Sequence, residues 1–600
     1  MAADDVDIVV VGVGHAGCEA AAAAARLGQR VAAFTFHRDH VGRLSCNPAI
    51  GGQAKGQLVR ELDALGGVMA RVADASTVQF RHLNTRKGLA VRSSRAQVDI
   101  AAYPAEMARV LASVPNLSVR QGEVVGLLLD AGRVAGVVLA DGAEVRCRAV
   151  VLTTGTFLKG KLHHGERQTA GGRVGDGAAV RLADQLADLG LPLHRLKTGT
   201  VPRLDGRTIA WDRLPAQDDL PDGRFSYAEP APPRLPPLTC HLAYTTREVH
   251  DLLRSNLHRS AMYSGAIDGT GPRYCPSIED KVVRFAERDR HLLFLEPEGH
   301  HTHRVYVNGL STSMPVDVQE EMVAAIEGLE DAVILQPGYA VEYDAIDPRV
   351  LGPDLQHREV PGLFFAGQVN GTSGYEEAAV QGFVAGVSAA TGEALRIRRD
   401  EGYIGVLVDD ITSRGVGGEP YRMFTSRAEH RLLLREDNAD ARLMARGRSL
   451  GLIDDPTWAA FEARQEAKAA GRSAIEALQL TPAAATQEAL TTLGTATLRR
   501  PISGTELLRR PEVGYGAMAS AFGLPRLDDD LAEQLESEVR YAGYIQRAQR
   551  RAARLGRMDD VRLPDDLDWG TLAMLSTEVR QRLAARRPAT LGEAARVPGV

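Results

Sequence analysis

The sequence is short of several things, and each shortage narrows what the chain can be. It has five cysteines in 600 residues, Cys18, Cys46, Cys147, Cys240 and Cys275, odd in number, widely spread and without a C-x-x-C pair. That argues against a disulfide framework and against a dithiol reductase, and points to a reducing compartment with one or two working thiols. No apolar run is long enough to cross a bilayer. The first strand opens at Asp7, just behind Asp4 and Asp5, which leaves no room for a signal peptide, so the expected location is the cytoplasm. An excess of positive charge is also missing. At a formal net charge of −6, nucleic-acid binding has to come from local clustering. No metal is expected, because His300-His301-Thr302-His303 has no cysteine or carboxylate at ligand spacing beside it. What remains is 44% hydrophobic and 25% charged, the balance of a folded soluble protein, and its length suggests two to four domains.

The stretch Asp7 to Gly28, DIVVVGVGHAGCEAAAAAARLG, organises the chain. A strand at Ile8 to Val11 runs into Gly12-Val13-Gly14-His15-Ala16-Gly17, and an alanine-rich helix follows and stops at Gly28. That order is the strand, turn and helix of a dinucleotide-binding unit. Gly12 suits the tight turn, Gly14 lets the backbone approach a pyrophosphate, and Gly17 lets helix and strand pack closely. Free N–H groups and the positive end of the helix dipole then face the diphosphate. The next strand, Gln29 to Thr35, completes the unit but ends Phe34-Thr35-Phe36-His37, with no carboxylate for the adenosine ribose.

Further along, Cys46 sits in a Pro- and Gly-containing loop, Ser45 to Gln53. Lys55 and a helix expected from Leu58 to Leu65 are available to activate its thiol; a small buried hydrophobe is the alternative reading. Cys18, inside the alanine-rich helix, reads as core. Arg81 to Arg95 is a basic stretch that reads as a solvated loop or, as the alternative, as the lining of an anionic groove. Tyr103 to Val110 reads as a helix, and Leu117 to Gln121, Gly126 to Leu129 and Val134 to Leu139 as a small β-meander. Arg148 to Thr156 is a buried parallel strand of the kind that closes an FAD-binding unit. Seven prolines between Leu214 and Pro237 mark a connector. Thr245-Thr246-Arg247-Glu248 reads as a capping box for a helix running toward Gly265. Pro272 and Pro276 bracket Tyr274-Cys275 in an extended loop, with Arg273 close enough in sequence to favour a thiolate. Val360 to Gly374 repeats the opening theme of strand, glycines and helix, its helix start aimed at an electron-rich ring. Past Asp400 the chain turns to Arg-, Glu-, Ala- and Leu-rich helices. Arg414 to Arg448 holds eight arginines against five acids, and Arg540 to Arg562 seven against two. On one helix Arg540, Tyr544, Arg547, Arg551 and Arg554 form a stripe suited to RNA phosphates and stacked bases, or simply a solvated face.

Laid together, these pieces resemble the MnmG (GidA) family of tRNA wobble-uridine-modifying enzymes. The likeness rests on GHAGCEAA at Gly14, SCNPAIGG at Ser45, NLHRSAMYSG at Asn256, GPRYCPSIEDKVVRF at Gly271, GLFFAGQVNGTSGYEEAA at Gly362 and EPYRMFTSRAEHRLLLREDNAD at Glu419. The resemblance implies an enzyme that binds FAD, reduces it with NADH and acts with the GTPase MnmE on C5 of tRNA uridine 34, with methylenetetrahydrofolate as one-carbon donor. It implies FAD contacts at Gly12, Val13, Gly14, His15, Ala16, Gly17, Val124, Ala179 and Gln368. An NAD-associated segment is implied at Gly271-Pro272-Arg273-Tyr274-Cys275-Pro276-Ser277-Ile278-Glu279-Asp280-Lys281-Val282-Val283-Arg284-Phe285. The two family cysteines fall on Cys46 and Cys275; a thiolate at Cys275 suits addition to uracil C6, with Cys46 as acid, base or support. Arg422, Arg427, Arg431, Arg435, Arg547, Arg551 and Arg554 are the expected RNA contacts. A homodimer is implied, and a terminal helical module, associated with MnmE docking, that family members usually extend a few turns beyond Val600.

The expected fold is therefore α/β: a Rossmann-like FAD/NAD(P)-binding domain with an inserted smaller α/β domain, followed by an all-α C-terminal domain. The expected divisions are 1–205, 206–270, 271–400 and 401–600. A folate-dependent tRNA uridine methyltransferase of the same superfamily is the nearest alternative, disfavoured by the helical tail, and a flavin disulfide reductase a more distant one, disfavoured by the cysteine spacing.

Overall fold

A computed structural model describes residues 6–217, 223–271, 276–564, 566–597 and 599–600. At its centre five parallel strands lie in the order Leu363–Phe365, Ala149–Leu152, Ile8–Val11, Val31–Thr35, Leu117–Gln121. The inner strands are runs of Val, Ile, Leu and Ala buried on both faces, as a sheet covered on each side requires. Leu117–Gln121 was expected in the meander and instead extends this sheet, pairing with Val31–Thr35. The meander itself is Val124–Asp130, Arg133–Leu139 and Glu144–Arg146.

Helices His15–Arg26 and Tyr375–Thr391 pack on one another through small residues. A Cβ on Gly382 would lie 1.9 Å from the Ala16 carbonyl oxygen, and one on Gly386 would lie 2.4 Å from that of Ala20. Backbones that close leave no room for side chains, which is why this seam is Ala and Gly.

The smaller unit is larger than the sequence suggested. Its six-stranded sheet runs Ala216–Gln217, Cys240–Tyr244, Leu292–Pro297, Arg304–Asn308, Arg203–Asp205, Ile334–Gln336. Its own core extends from Leu204 to Leu329, so the boundary expected at 270 falls inside it. Thr246 caps the helix Arg247–Ser255, accepting from the Val249 N–H. Arg81 to Arg95 is not a loop throughout: Thr77–Leu83 and Ser93–Val98 pair as antiparallel strands.

Residues 403–453 add apolar side chains, Tyr403 to Ile453, to the main core, so the boundary expected at 401 also shifts. A separate helical core begins with Asp455–Ala477 and includes Leu507, Tyr515, Met518 and Leu535. A last small cluster gathers Trp569, Leu583, Ala594 and Val597. One pair of two-residue strands, Gln479–Leu480 with Ile502–Ser503, interrupts the helices. Among the described residues no helix is long and apolar enough to cross a membrane.

Candidate functional site

The three turn glycines answer to three different constraints. Gly12 has φ +98°, and a Cβ there would meet the Thr153 carbonyl oxygen at 2.5 Å. A Cβ on Gly17 would meet the Gly12 carbonyl oxygen at 1.9 Å. Around Gly14 there is nothing within 4 Å, so its backbone is open to an approaching ligand. The turn borders a cavity of about 640 Å³, within the roughly 300–1,000 Å³ that cofactor pockets occupy.

Gly12, Val13, Gly14, His15, Ala16, Val124, Ala179, Gln368 and Cys46 all line this cavity. Positions hundreds of residues apart are thus brought together. Gly17 packs behind the turn and does not line it. Gly374, at the start of the helix Tyr375–Thr391, is on the wall, so two helix N-termini face the same space. Two buried polar atoms on the wall, His15 Nε2 and Thr154 Oγ1, have no hydrogen-bond partner among the described residues. Buried polar groups are rarely left so, and here a ligand with hydrogen-bonding groups would satisfy them. Burial holds the His15 imidazole down to about 4, so the ring is neutral at pH 7.

Cys46 is half-buried on the cavity wall. Its loop is pinned by the Tyr375 phenol oxygen, which accepts from the Cys46 and Asn47 N–H groups at 2.6 and 3.0 Å. Arg203 donates to the Cys46 carbonyl at 2.8 Å and pairs with Glu298 at 3.1 Å. The cation expected beside this loop was Lys55, which is engaged elsewhere: its ammonium contacts Glu376 at 2.8 Å and Glu377 at 3.0 Å. Burial opposes the Lys55 charge, but the two carboxylates outweigh it and hold its pKa above the ordinary value. The other described cysteines are of another kind. Burial pushes the thiols of Cys18, Cys147 and Cys240 up, Cys147 to about 11 and Cys240 to about 12. Cys275 lies outside the described residues, as do Pro272, Arg273 and Tyr274.

A carboxylate absent from the end of the second strand is present just past the strand beside it. The Gly122 N–H donates to the Thr35 carbonyl at 2.9 Å, which sets Glu123 of the neighbouring strand end on the cavity wall. Sequence reading missed it because the pairing that delivers it is parallel and distant in sequence. Nearby, His37, His40 and Asp176 lie close enough to hold a metal ion, but guanidinium groups already occupy that space. Arg173 contacts Asp176 at 2.6 Å and His40 Nδ1 at 3.0 Å, and Arg43 contacts His40 Nε2 at 2.7 Å.

The segment expected to meet NAD stands apart. None of its described residues, Gly271 and Pro276 to Phe285, lines the cavity. Its helix Ile278–Arg284 is capped by Ser277, anchors Ile278 and Val282 in the smaller core, and leaves Val283 and Phe285 exposed.

The expected RNA contacts divide. Arg422 lines the cavity, and Arg427 stacks on Tyr421, 4.1 Å from its ring centre. Arg431 is exposed, whereas Arg435 is buried and paired with Asp437 at 3.0 Å, which removes it from any surface. Arg547, Arg551 and Arg554 are exposed on the helix Ala542–Asp559, with Arg547 over the Tyr544 ring at 4.7 Å. Arg540 leaves the stripe. It ends the preceding helix, Asp529–Arg540, and donates to the Leu508 and Val513 carbonyls.

Comparison with known proteins gives this arrangement a lineage. The family model for glucose inhibited division protein A (GidA) matches residues 7–395. The chain belongs to the GidA family. Two further models of the family, described as the C-terminal helical domain and the C-terminal helical bundle of the tRNA modifying enzyme MnmG/GidA, match 455–549 and 551–600. The first of these begins where the separate helical core begins. The chain is 48% identical to the tRNA uridine 5-carboxymethylaminomethyl modification enzyme MnmG of Geobacter sulfurreducens, across 99% of this chain and 95% of that protein. It is also 48% identical to the enzyme of the same name from Syntrophotalea carbinolica, across 99% and 97%. The structure of Aquifex aeolicus GidA in its form II crystal is similar with a TM-score of 0.91 at 41% identity, covering 100% of this chain and 97% of that one. The α/β fold with a helical C-terminus is therefore that of the family.

Proposed function

We propose that this chain is an FAD-dependent enzyme that modifies C5 of the wobble uridine, U34, of tRNA. The observation that carries the reading is the cavity, where an open glycine turn, two helix starts, two unpartnered buried polar atoms and the Cys46 loop converge. Gly12 to Gly17 would hold the diphosphate, Glu123 the adenosine ribose, and His15 and Thr154 would donate or accept toward the cofactor. The bound flavin would supply the redox step, taking a hydride from NADH and passing on a one-carbon unit drawn from methylenetetrahydrofolate. The protein's own part is to make uracil C5 nucleophilic. A thiolate adds to C6, forming an S–C6 bond and placing the electron pair at C5; after substitution the C5 proton leaves and the S–C6 bond breaks. Cys275 is assigned to that addition and Cys46 to acid–base support. Arg547, Arg551 and Arg554 would grip tRNA phosphates, and the helical C-terminus would meet the GTPase MnmE. The working form is a cytoplasmic homodimer.

The purified protein is expected to be yellow and to bleach with NADH. Glu123→Ala is expected to weaken flavin retention about tenfold, the loss of one charge-assisted contact. Mass spectrometry of U34 in tRNA from a deletion strain, complemented by wild type, Cys46→Ser or Cys275→Ser, tests the rest. Restoration of the modified base by Cys275→Ser would remove that thiol from the reaction, and a colourless, NADH-inert protein would remove the flavin.

A further inference from the structure

A second cavity, of about 510 Å³, opens between the nucleotide-binding unit and the terminal helices. One wall comes from residues 347–358 and 395–413, the other from 559 and 585–597. Eight arginines line it against four carboxylates, Asp347, Asp409, Asp559 and Glu593, in a chain whose overall charge is negative. Those four acids are already engaged. Asp347 is held by Arg349, Asp409 by Arg399 and Arg596, Asp559 by Arg596, and Glu593 accepts from the Ala589 N–H.

Four arginines are left with no carboxylate partner among the described residues: Arg358, Arg396, Arg586 and Arg587. Arg586 is the telling one. Among the described residues its Nη1 is buried without a hydrogen-bond partner, and its Nη2 donates to the Arg414 carbonyl at 3.3 Å. Burial and the neighbouring Arg349 oppose its charge, and Asp347 offsets only part of this. A desolvated guanidinium nitrogen with no acceptor is costly, and an anion delivered into the cavity removes the cost. Four guanidinium groups without a carboxylate partner among the described residues, three of them exposed at the mouth and Arg586 partly buried, fit a multiply charged group, and the guanidinium fork matches phosphate oxygens.

We propose that this cavity binds a phosphate or diphosphate group, which joins the terminal helices to the nucleotide-binding unit. The site shares no lining residue with the cavity of the glycine turn and does not rest on the flavin reading. Titration calorimetry of the purified full-length protein with inorganic pyrophosphate, at constant ionic strength, tests it. Wild type is expected to show saturable binding that Arg586→Gln weakens about tenfold or more. Arg396→Gln, a change at an exposed residue, is expected to weaken it too. Displacement of labelled tRNA by pyrophosphate from wild type, but not from Arg586→Gln, assigns the site to RNA backbone phosphates. Pyrophosphate binding without displacement assigns it to a free polyphosphate. No saturable binding to wild type, or unchanged affinity in both variants with folding intact by circular dichroism, overturns the proposal.

Discussion

His15 shows how a single side chain can carry a pH signature. The free imidazole titrates near 6.5, while burial in the fold lowers it to about 4. A depressed histidine pKa means that the unfolded chain binds the proton more tightly, so the contribution to stability is complete above the unfolded value and is lost as pH falls toward about 4. At about 1.4 kcal/mol per pH unit the loss is roughly 3 kcal/mol. Urea unfolding of wild type and His15→Gln across that window is expected to show wild type losing this much relative to the variant. The position was legible in the sequence as part of the turn. Its neutrality was not, because it comes from burial, with Lys55 adding to it, among residues distant in sequence, such as Tyr103 and Tyr375, whose rings pack 5.6 and 4.3 Å from the imidazole. Glu123 escaped notice for a related reason: its place on the cavity wall depends on which strand lies next to which.

At the scale of elements, the seam between His15–Arg26 and Tyr375–Thr391 is set by backbone contact. Gly382→Ala puts a methyl 1.9 Å from a carbonyl oxygen that cannot swing away. Thermal melts are expected to show a loss of about 1–3 kcal/mol or more, the usual cost of overpacking. Gly28→Ala meets nothing within 4 Å and bears only its φ of +88°, so about 1 kcal/mol is expected. On the helix Ala542–Asp559, replacing Arg547, Arg551 and Arg554 by Gln is expected to weaken tRNA binding and to flatten its dependence on log[salt] by roughly two to three units. An unchanged slope in filter binding would place the RNA elsewhere. Local signals marked these elements well. Strand, turn and capping residues sit next to one another in sequence, whereas the break at Tyr541 that removes Arg540 is fixed by Arg540's contacts with Leu508 and Val513.

In the whole molecule, ion pairs tie the helical C-terminus back to the rest. Arg442 meets Glu61 at 2.9 Å, Arg92 meets Glu533 at 2.5 Å, and Arg596 reaches both Asp409 and Asp559. Arg399 is the most committed, 8% exposed and paired with Asp409, Asp410 and Glu429. Arg399→Leu takes a guanidinium from all three carboxylates, of which Asp409 keeps Arg596 and Asp410 the Tyr421 hydroxyl, and is expected to cost about 3–5 kcal/mol, visible as a lowered denaturant midpoint. The family and the order of the main elements were readable from motifs. The extents of the units were not, because the smaller sheet recruits strands from Arg203 to Gln336, and residues 403–453 pack under the first unit while heading toward the last.

Part of the glycine-turn cavity is made near residue 12 and part near residue 374. A growing polypeptide therefore has no complete cavity until the last lining residue, Phe424, has left the ribosome. At about 5–20 residues per second that is roughly 20 to 80 seconds of synthesis. Until Leu363–Phe365 follows, the strand Ala149–Leu152, already paired with Ile8–Val11 on one side, lacks its other parallel neighbour, and that edge of the sheet stays open.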